Sequence, residues 1–209
     1  DLIDSCYGIS MFGLEMEGNN LSYSQLNEAQ GIVEQKSISL GYGLHSQMQP
    51  VGIYEAQRTI ANGVIEQPNK NLGFNKAHHV VLAYDQSLTK YLRIKAETYY
   101  QRLYNLAVFA DARPQAVTNN EDGYITDPLV NKGTGRNYGV ELTLEQFTHN
   151  NLYFLLSTSL YDSKYKALDG VLRNSRYNGS YAFSFTAGKE FHSAGSKNRT
   201  YGINLRTLY

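Results

Sequence analysis

Any chemistry in this 209-residue chain would have to come from five histidines, one cysteine and scattered carboxylates, and their spacing argues against most of it. His78-His79 are adjacent in a stretch that alternates with period two, so the two imidazoles face opposite ways and do not share a metal ion. His45, His149 and His192 fall at different strand ends. The lone Cys6 excludes an intramolecular disulfide framework and a cysteine-based zinc site. Glu141 and Glu145 lie on one face of an alternating stretch, where general acid–base work is conceivable. Pairing with Lys95, Arg93 or arginines of a segment filling the space beside that face is the simpler role. No nucleophile elbow surrounds a serine, and nothing ties Ser, His and Asp into a triad. Gly133-Thr134-Gly135-Arg136-Asn137-Tyr138-Gly139 has the glycine content of a dinucleotide-binding turn. Such a turn must follow a strand and open a helix. Here a loop precedes it and a period-two strand follows. We assign no catalytic residue, no metal site and no cofactor.

The elements that position these residues are strands. The clearest is the hairpin Ala77–Tyr104, turning at Gln86–Tyr91. On its return arm Leu92, Ile94, Ala96, Thr98 and Tyr100 share one face, and Arg93, Lys95, Glu97, Tyr99 and Gln101 the other. The same alternation marks Lys36–His45, Arg136–Gln146, Leu152–Tyr161, Tyr181–Gly188 and Thr200–Thr207. Ser5–Leu14 is a possible further strand. Residues 1–35 are otherwise the least legible part, and Glu15–Gln35 reads as polar and irregular. Charges balance at 19 against 19, so no basic field favours nucleic acid. No apolar run is long enough for a transmembrane helix, and no signal peptide opens the chain. Because Asp1 is not an initiator methionine, we expect a fragment or a processed piece.

From Ser46 onward the connections alternate long and short. Ser46–Lys76, Asn105–Gly135 and Asp162–Gly179 are long and carry Pro and Gly breaks, while the intervening turns are tight. Compact soluble domains rarely hold irregular loops of this length. Transmembrane β-barrels have them on one side only. The strands run about nine to twelve residues, the span a tilted strand needs in a bilayer. The expected fold is therefore all-β: an antiparallel transmembrane β-barrel segment of about seven or eight strands. Apolar side chains would face lipid, and Lys95, Glu97, Gly139, Glu141, Glu145 and Arg206 would face a wet interior. Tyr84, Tyr91, Tyr100, Tyr104, Tyr138 and Tyr181 lie near strand ends, as aromatic girdles do. In the long loops, Tyr54, Arg58, Phe109, Arg113 and Tyr124 are ligand-contact candidates, with loop-on-loop packing the alternative. A soluble β-sandwich binding module stays open at this point.

Several stretches resemble TonB-dependent outer-membrane receptors, especially those of Bacteroidetes-type bacteria. They are Gly41-Tyr42-Gly43-Leu44-His45-Ser46-Gln47-Met48-Gln49-Pro50, Asn75 to Asp85, Glu97 to Tyr104, and Asn131 to Leu142. Leu160 to Tyr165 and Asn178 to Tyr181 are similar too. The likeness covers residues 36–209, and residues 1–35 match it poorly. It implies a barrel of roughly 22 strands with a plugged lumen, located in the outer membrane of a Gram-negative bacterium. The implied activity is uptake of an iron chelate, vitamin or glycan, without enzymatic chemistry. Implied partners are outer-membrane lipid, a plug domain of the same full-length chain, and the TonB complex reached through an N-terminal part. No plug-like segment or TonB box is recognisable in these residues, so the resemblance implies a wall segment of the receptor. The alternatives are a passive porin or a small outer-membrane barrel serving as adhesin or enzyme. His45, beside a long loop, is the one weak candidate for the last.

Overall fold

The computed structural model describes residues 10–17, 36–119, 123–193 and 199–209. In chain order its elements are β1 (Ser10–Glu17), β2 (Lys36–Gln47), α1 (Val51–Glu55), β3 (Arg58–Thr59), β4 (Ile65–Glu66), β5 (Asn75–Ser87) and β6 (Leu92–Phe109). They continue with β7 (Leu129–His149), β8 (Leu152–Lys166), β9 (Leu172–Asn174), β10 (Tyr181–Ser193) and β11 (Arg199–Leu208). The fold is all-β. Nine strands form one antiparallel sheet: eight follow the order β1-β2-β5-β6-β7-β8-β10-β11, each main strand pairing with the next one along the chain, and β9 pairs with β8 off this path. Among the described residues β1 pairs only with β2 and β11 only with β10.

Register keeps the two faces separate across the whole sheet. Leu40 lies opposite Leu82, Leu82 opposite Thr98, Thr98 opposite Val140, and Val140 opposite Leu160. Directly paired residues share a face, so this row is apolar from β2 to β8 except for Thr98. Nothing among the described residues covers it: Val140 is 53% exposed and Leu160 63%. One residue along, Ser39 opposes Ala83, Ala83 opposes Glu97, Glu97 opposes Glu141, and Glu141 opposes Ser159. That face is small and polar.

The two ends of the sheet differ. At one end the connections are tight. Leu88 and Thr89 donate their backbone N–H to the Leu92 carbonyl at 2.8 and 3.1 Å. Asn150 and Asn151 both have positive φ (50° and 61°), the conformation a two-residue hairpin turn demands and asparagine tolerates.

At the other end the expected boundaries move. β6 runs on to Phe109 and β7 begins at Leu129, so much of the expected Asn105–Gly135 loop is a two-stranded ribbon rising above the sheet. The reason is Leu106-Ala107-Val108-Phe109, buried on both sides and therefore without the alternation that marks a half-exposed strand. One face of the ribbon packs Ala107, Phe109 and Leu129 with Ile53, Val117, Ile125 and Leu72. The other packs Leu106 and Val108 with Ala116, Tyr165, Ala167 and Leu168. Similarly β8 continues to Lys166 and pairs with β9, inside the expected third loop. The first loop holds α1 and the β3–β4 hairpin. The expected strand Ser5–Leu14 is seen as Ser10–Glu17, which takes Glu15–Glu17 out of the irregular assignment. The rest of residues 1–35 lies outside the described residues.

Candidate functional site

Two surfaces hold the polar chemistry, the polar face of the sheet and the loop end. On the polar face, Arg93 stands directly opposite Glu145 but donates its hydrogen bonds to Asp85, with Nε to Oδ1 at 2.8 Å. Lys95 pairs along its own strand with Glu97 at 2.9 Å. Glu97 and Glu141 oppose each other, so Lys95 holds one member of a carboxylate pair whose like charges repel. Of the partners expected for Glu141 and Glu145, which also included arginines of a plug, Arg93 and Lys95 instead bond Asp85 and Glu97 directly. Gly139 lies on this face directly opposite Tyr99. A Cβ there would stand 2.9 Å from the Tyr99 hydroxyl and 2.8 Å from the Leu160 carbonyl. Arg206 sits opposite Thr186 on the last strand, exposed.

The loop end is assembled by polar bolts around the ribbon. Asn69, 1% exposed, donates Nδ2 to the carbonyls of Ile125 and Asp127, both at 3.0 Å. Its Oδ1 accepts from the Leu129 N–H at 2.9 Å. Asn75, also buried, accepts from the Ala107 N–H at 3.0 Å. Asn131 accepts from the Gly73 N–H at 2.6 Å and donates to the carbonyls of Gly73 and Asn105 at 3.0 and 2.9 Å. Tyr165 donates its hydroxyl to the Pro114 carbonyl at 2.9 Å. These bonds fix the first and third loops against the second.

Most of the loop candidates are engaged inside this assembly. Phe109 is 4% exposed and part of the packed core, so it is not open to a ligand. Arg113 lies over the Phe109 ring, 4.3 Å from its centroid, and pairs with Asp111 (Nε to Oδ2, 2.8 Å) and Asp127 (2.9 Å). The Arg113 hydrogen bonds hold the Asp111 carboxyl below its usual range. Arg58 is paired with Glu66 across the β3–β4 hairpin. Tyr54 is half-buried, its hydroxyl accepting from the Gln49 N–H at 3.3 Å. Tyr124 remains open, 57% exposed with its hydroxyl accepting from the Gln57 N–H at 3.3 Å.

No family model matches this chain, and neither does any curated protein.

Two groupings escaped the sequence reading, and register explains both. His45 and His79 come together on the polar face with ring centroids 5.6 Å apart. In sequence they are separated by the whole first loop, and only the pairing of β2 with β5 shows that they meet. Among the described residues no group of three or more His, Cys, Asp or Glu is arranged to hold a metal ion. The second grouping is basic. Beyond the tyrosines of the apolar face, His78 opposes Arg102, Arg102 opposes Arg136, and Arg136 opposes Lys164.

Proposed function

We propose that the chain is part of the wall of an outer-membrane TonB-dependent receptor, a plugged barrel that actively takes up an iron chelate, vitamin or glycan. The observation that supports this best is the uncovered apolar face. From Leu92 to Tyr100 and from Tyr138 to Leu144 the exposed side is formed by aliphatic and tyrosine side chains, with Thr98 the sole exception. In water such a continuous surface is unfavourable, at about 25 cal/mol per Å² of apolar area. In a bilayer it is the required surface, because only a closed barrel or a helix satisfies its backbone there. Under this reading β1 and β11 continue into further strands of the same full-length chain. The polar face lines the lumen, where Glu97, Glu141, Glu145 and Arg206 meet the plug domain. The tight turns are periplasmic, and the bolted loops present Tyr124 to a small molecule or glycan outside. Energy arrives from the TonB complex through the N-terminal part, and no covalent step is involved.

The test uses the full gene product in its own host. Outer membranes are isolated, and uptake of candidate nutrients is followed with and without a protonophore. Recovery in the outer membrane with uptake abolished by the protonophore is expected. Uptake that ignores the protonophore and stops at equal concentrations would make the chain part of a passive porin. Recovery in the soluble fraction would remove the barrel altogether.

A further inference from the structure

The basic row on the apolar face carries an inference that rests on the membrane reading above and goes beyond it. Just beyond the apolar band, Tyr42, Val80, Tyr100, Tyr138 and Asp162 form one cross-strand row. One pair further toward the loops the row becomes Leu44, His78, Arg102, Arg136 and Lys164. Lys76 and Lys166 extend it on the next row, opposite Tyr104 and Thr134. Five Lys and Arg side chains thus occupy one strip of a mostly apolar face, with Asp162 as the acidic residue beside them. Neighbouring strands are about 4.8 Å apart, so Arg102, Arg136 and Lys164 follow one another at close to that spacing. Like charges directly opposite in a sheet repel.

The structure supplies little to offset them. Asp162 pairs with Lys164 at 3.1 Å and accepts from Asn178 at 3.3 Å. Lys76, Arg102, Arg136 and Lys166 are exposed, and none has a carboxylate partner among the described residues. Arg136 leans over the Tyr138 ring, 5.9 Å from its centroid, and Tyr42 holds His78 with a 2.7 Å hydrogen bond between its hydroxyl and Nδ1. The strip is therefore a positive shelf resting on an aromatic row. At the tight-turn end the same face carries Lys36 on β2 and Lys189 on β10, too far apart across the sheet to form one.

We propose that this strip is a binding site for the phosphate groups of net-anionic lipid headgroups in the leaflet on the loop side, with Arg102 and Arg136 at its centre. A guanidinium presents paired N–H donors that match phosphate oxygens, and a shelf at headgroup height meets phosphates already concentrated at the surface. The acyl chains then lie along the apolar face below the tyrosines. The charge of the phosphates removes the cross-strand repulsion.

The test takes the full-length receptor in mixed micelles and measures retained lipid by native mass spectrometry, together with the thermal midpoint. Phosphatidylglycerol, phosphatidylcholine and inorganic phosphate are compared at matched concentration. Heat-modifiable migration on gels establishes that each variant is folded. The expected result is selective retention of phosphatidylglycerol and a higher midpoint in it. Retention should weaken about tenfold or more in R102Q/R136Q and fade in high salt. Lys76→Gln and Lys166→Gln, at exposed flanking positions, give smaller losses if the double variant fails to fold. Lys189→Gln, on the same face at the other end, should change nothing. Equal retention of both lipids, which share the phosphate and differ in net charge, by a protein that still inserts overturns the anionic-headgroup site while leaving the membrane reading intact. An equal effect of inorganic phosphate overturns the lipid as its source. Failure to insert into either lipid overturns both.

Discussion

Replacing Asn69 by alanine tests whether the loop end is one bolted unit. The side chain is 1% exposed and makes three bonds to backbone groups of the second connection, at 2.9–3.0 Å. Alanine removes them all. Ile125 and Leu129 are each 6% exposed, so the Ile125 carbonyl and the Leu129 N–H gain little from water in exchange. The carbonyl of Asp127, a half-exposed residue, is rehydrated more easily. At about 1–3 kcal/mol for each stranded buried group, the expected loss is ~2–5 kcal/mol. It falls on local opening of the loops, since the sheet below makes its own ladder bonds.

The assay is amide hydrogen exchange of the protein in detergent or lipid. Amides of Leu106–Phe109 and of Ile125, Thr126, Asp127 and Leu129 should exchange faster by roughly 1.5 to 3.5 powers of ten, while those of Thr98 and Leu142 stay as in the wild type. Asn69→Asp sharpens the test. It keeps the acceptor for Leu129 but aims a carboxylate at two carbonyl oxygens, so near neutral pH it should be worse than alanine. That carboxyl would be raised above its unfolded value, so the folded loops gain as pH falls, and the variant should grow milder in acid. Wild-type exchange rates in Asn69→Ala would refute the bolt. Equal acceleration throughout the sheet would refute the separation of loop end from sheet.

Three other outcomes follow from the same geometry. Gly139→Val should destabilise the sheet by about 1–3 kcal/mol, because the new carbons meet the Leu160 carbonyl and Tyr99; thermal unfolding measures it, and Tyr99→Phe should rescue only part, since the Leu160 backbone stays in place. Leu142→Arg, at a 41% exposed position in the middle of the apolar face, should cost about 2–4 kcal/mol in lipid and near nothing if that face met water, which equilibrium unfolding from vesicles decides. The Arg113 and Arg173 hydrogen bonds lower the carboxyls of Asp111 and Asp169, so their contribution is complete above the unfolded value of about 3.9 and is lost as pH falls through the lower folded values. Protease resistance of the loops should therefore be flat from neutral pH to about 5 and decline only in stronger acid; a decline centred near pH 6 would exclude these two pairs as its cause.

The sheet was legible in the sequence wherever one face is apolar and the other polar, because period-two alternation survives in each strand separately. Leu92–Gln101 is the clearest case. Legibility ended where both faces become buried. Leu106–Phe109 is a continuous apolar run beside Asn105, and it reads as loop only while the first and third connections are imagined as solvent-facing. The loop candidates suffered the same loss: the choice of Phe109 and Arg113 came from residue type, yet Ile53 and Asp127 are what occupy them. Asn69 carries no local signal at all, since its partners lie more than fifty residues away. The basic strip was hidden differently. Arg102 and Arg136 look like unrelated surface charges until register places one opposite the other.

Asn105 marks the point where the chain changes from one regime to the other. Its φ is 54°, and the pairing of β6 with β7 breaks there, between Leu103 opposite Gly135 and Leu106 opposite Gly133. A bulge inserts residues into one strand only and bends it. Below the break, alternation divides an apolar from a polar face; above it, the ribbon is apolar on both. The bend brings the two strands too close for side chains on the partner. A Cβ at Gly133 would stand 2.5 Å from Val108 Cγ1 and 3.0 Å from the Leu106 carbonyl, and one at Gly135 would stand 2.9 Å from Leu103 Cδ1 and from the Lys164 carbonyl. Two of the glycines that suggested a phosphate-binding turn, Gly133 and Gly135, are therefore explained by close approach of neighbouring strands beside a bulge. Arg136, between Gly135 and Asn137, then emerges on the apolar face immediately below the bend. The same irregularity that lifts the loops off the sheet thus sets the height at which the basic strip begins.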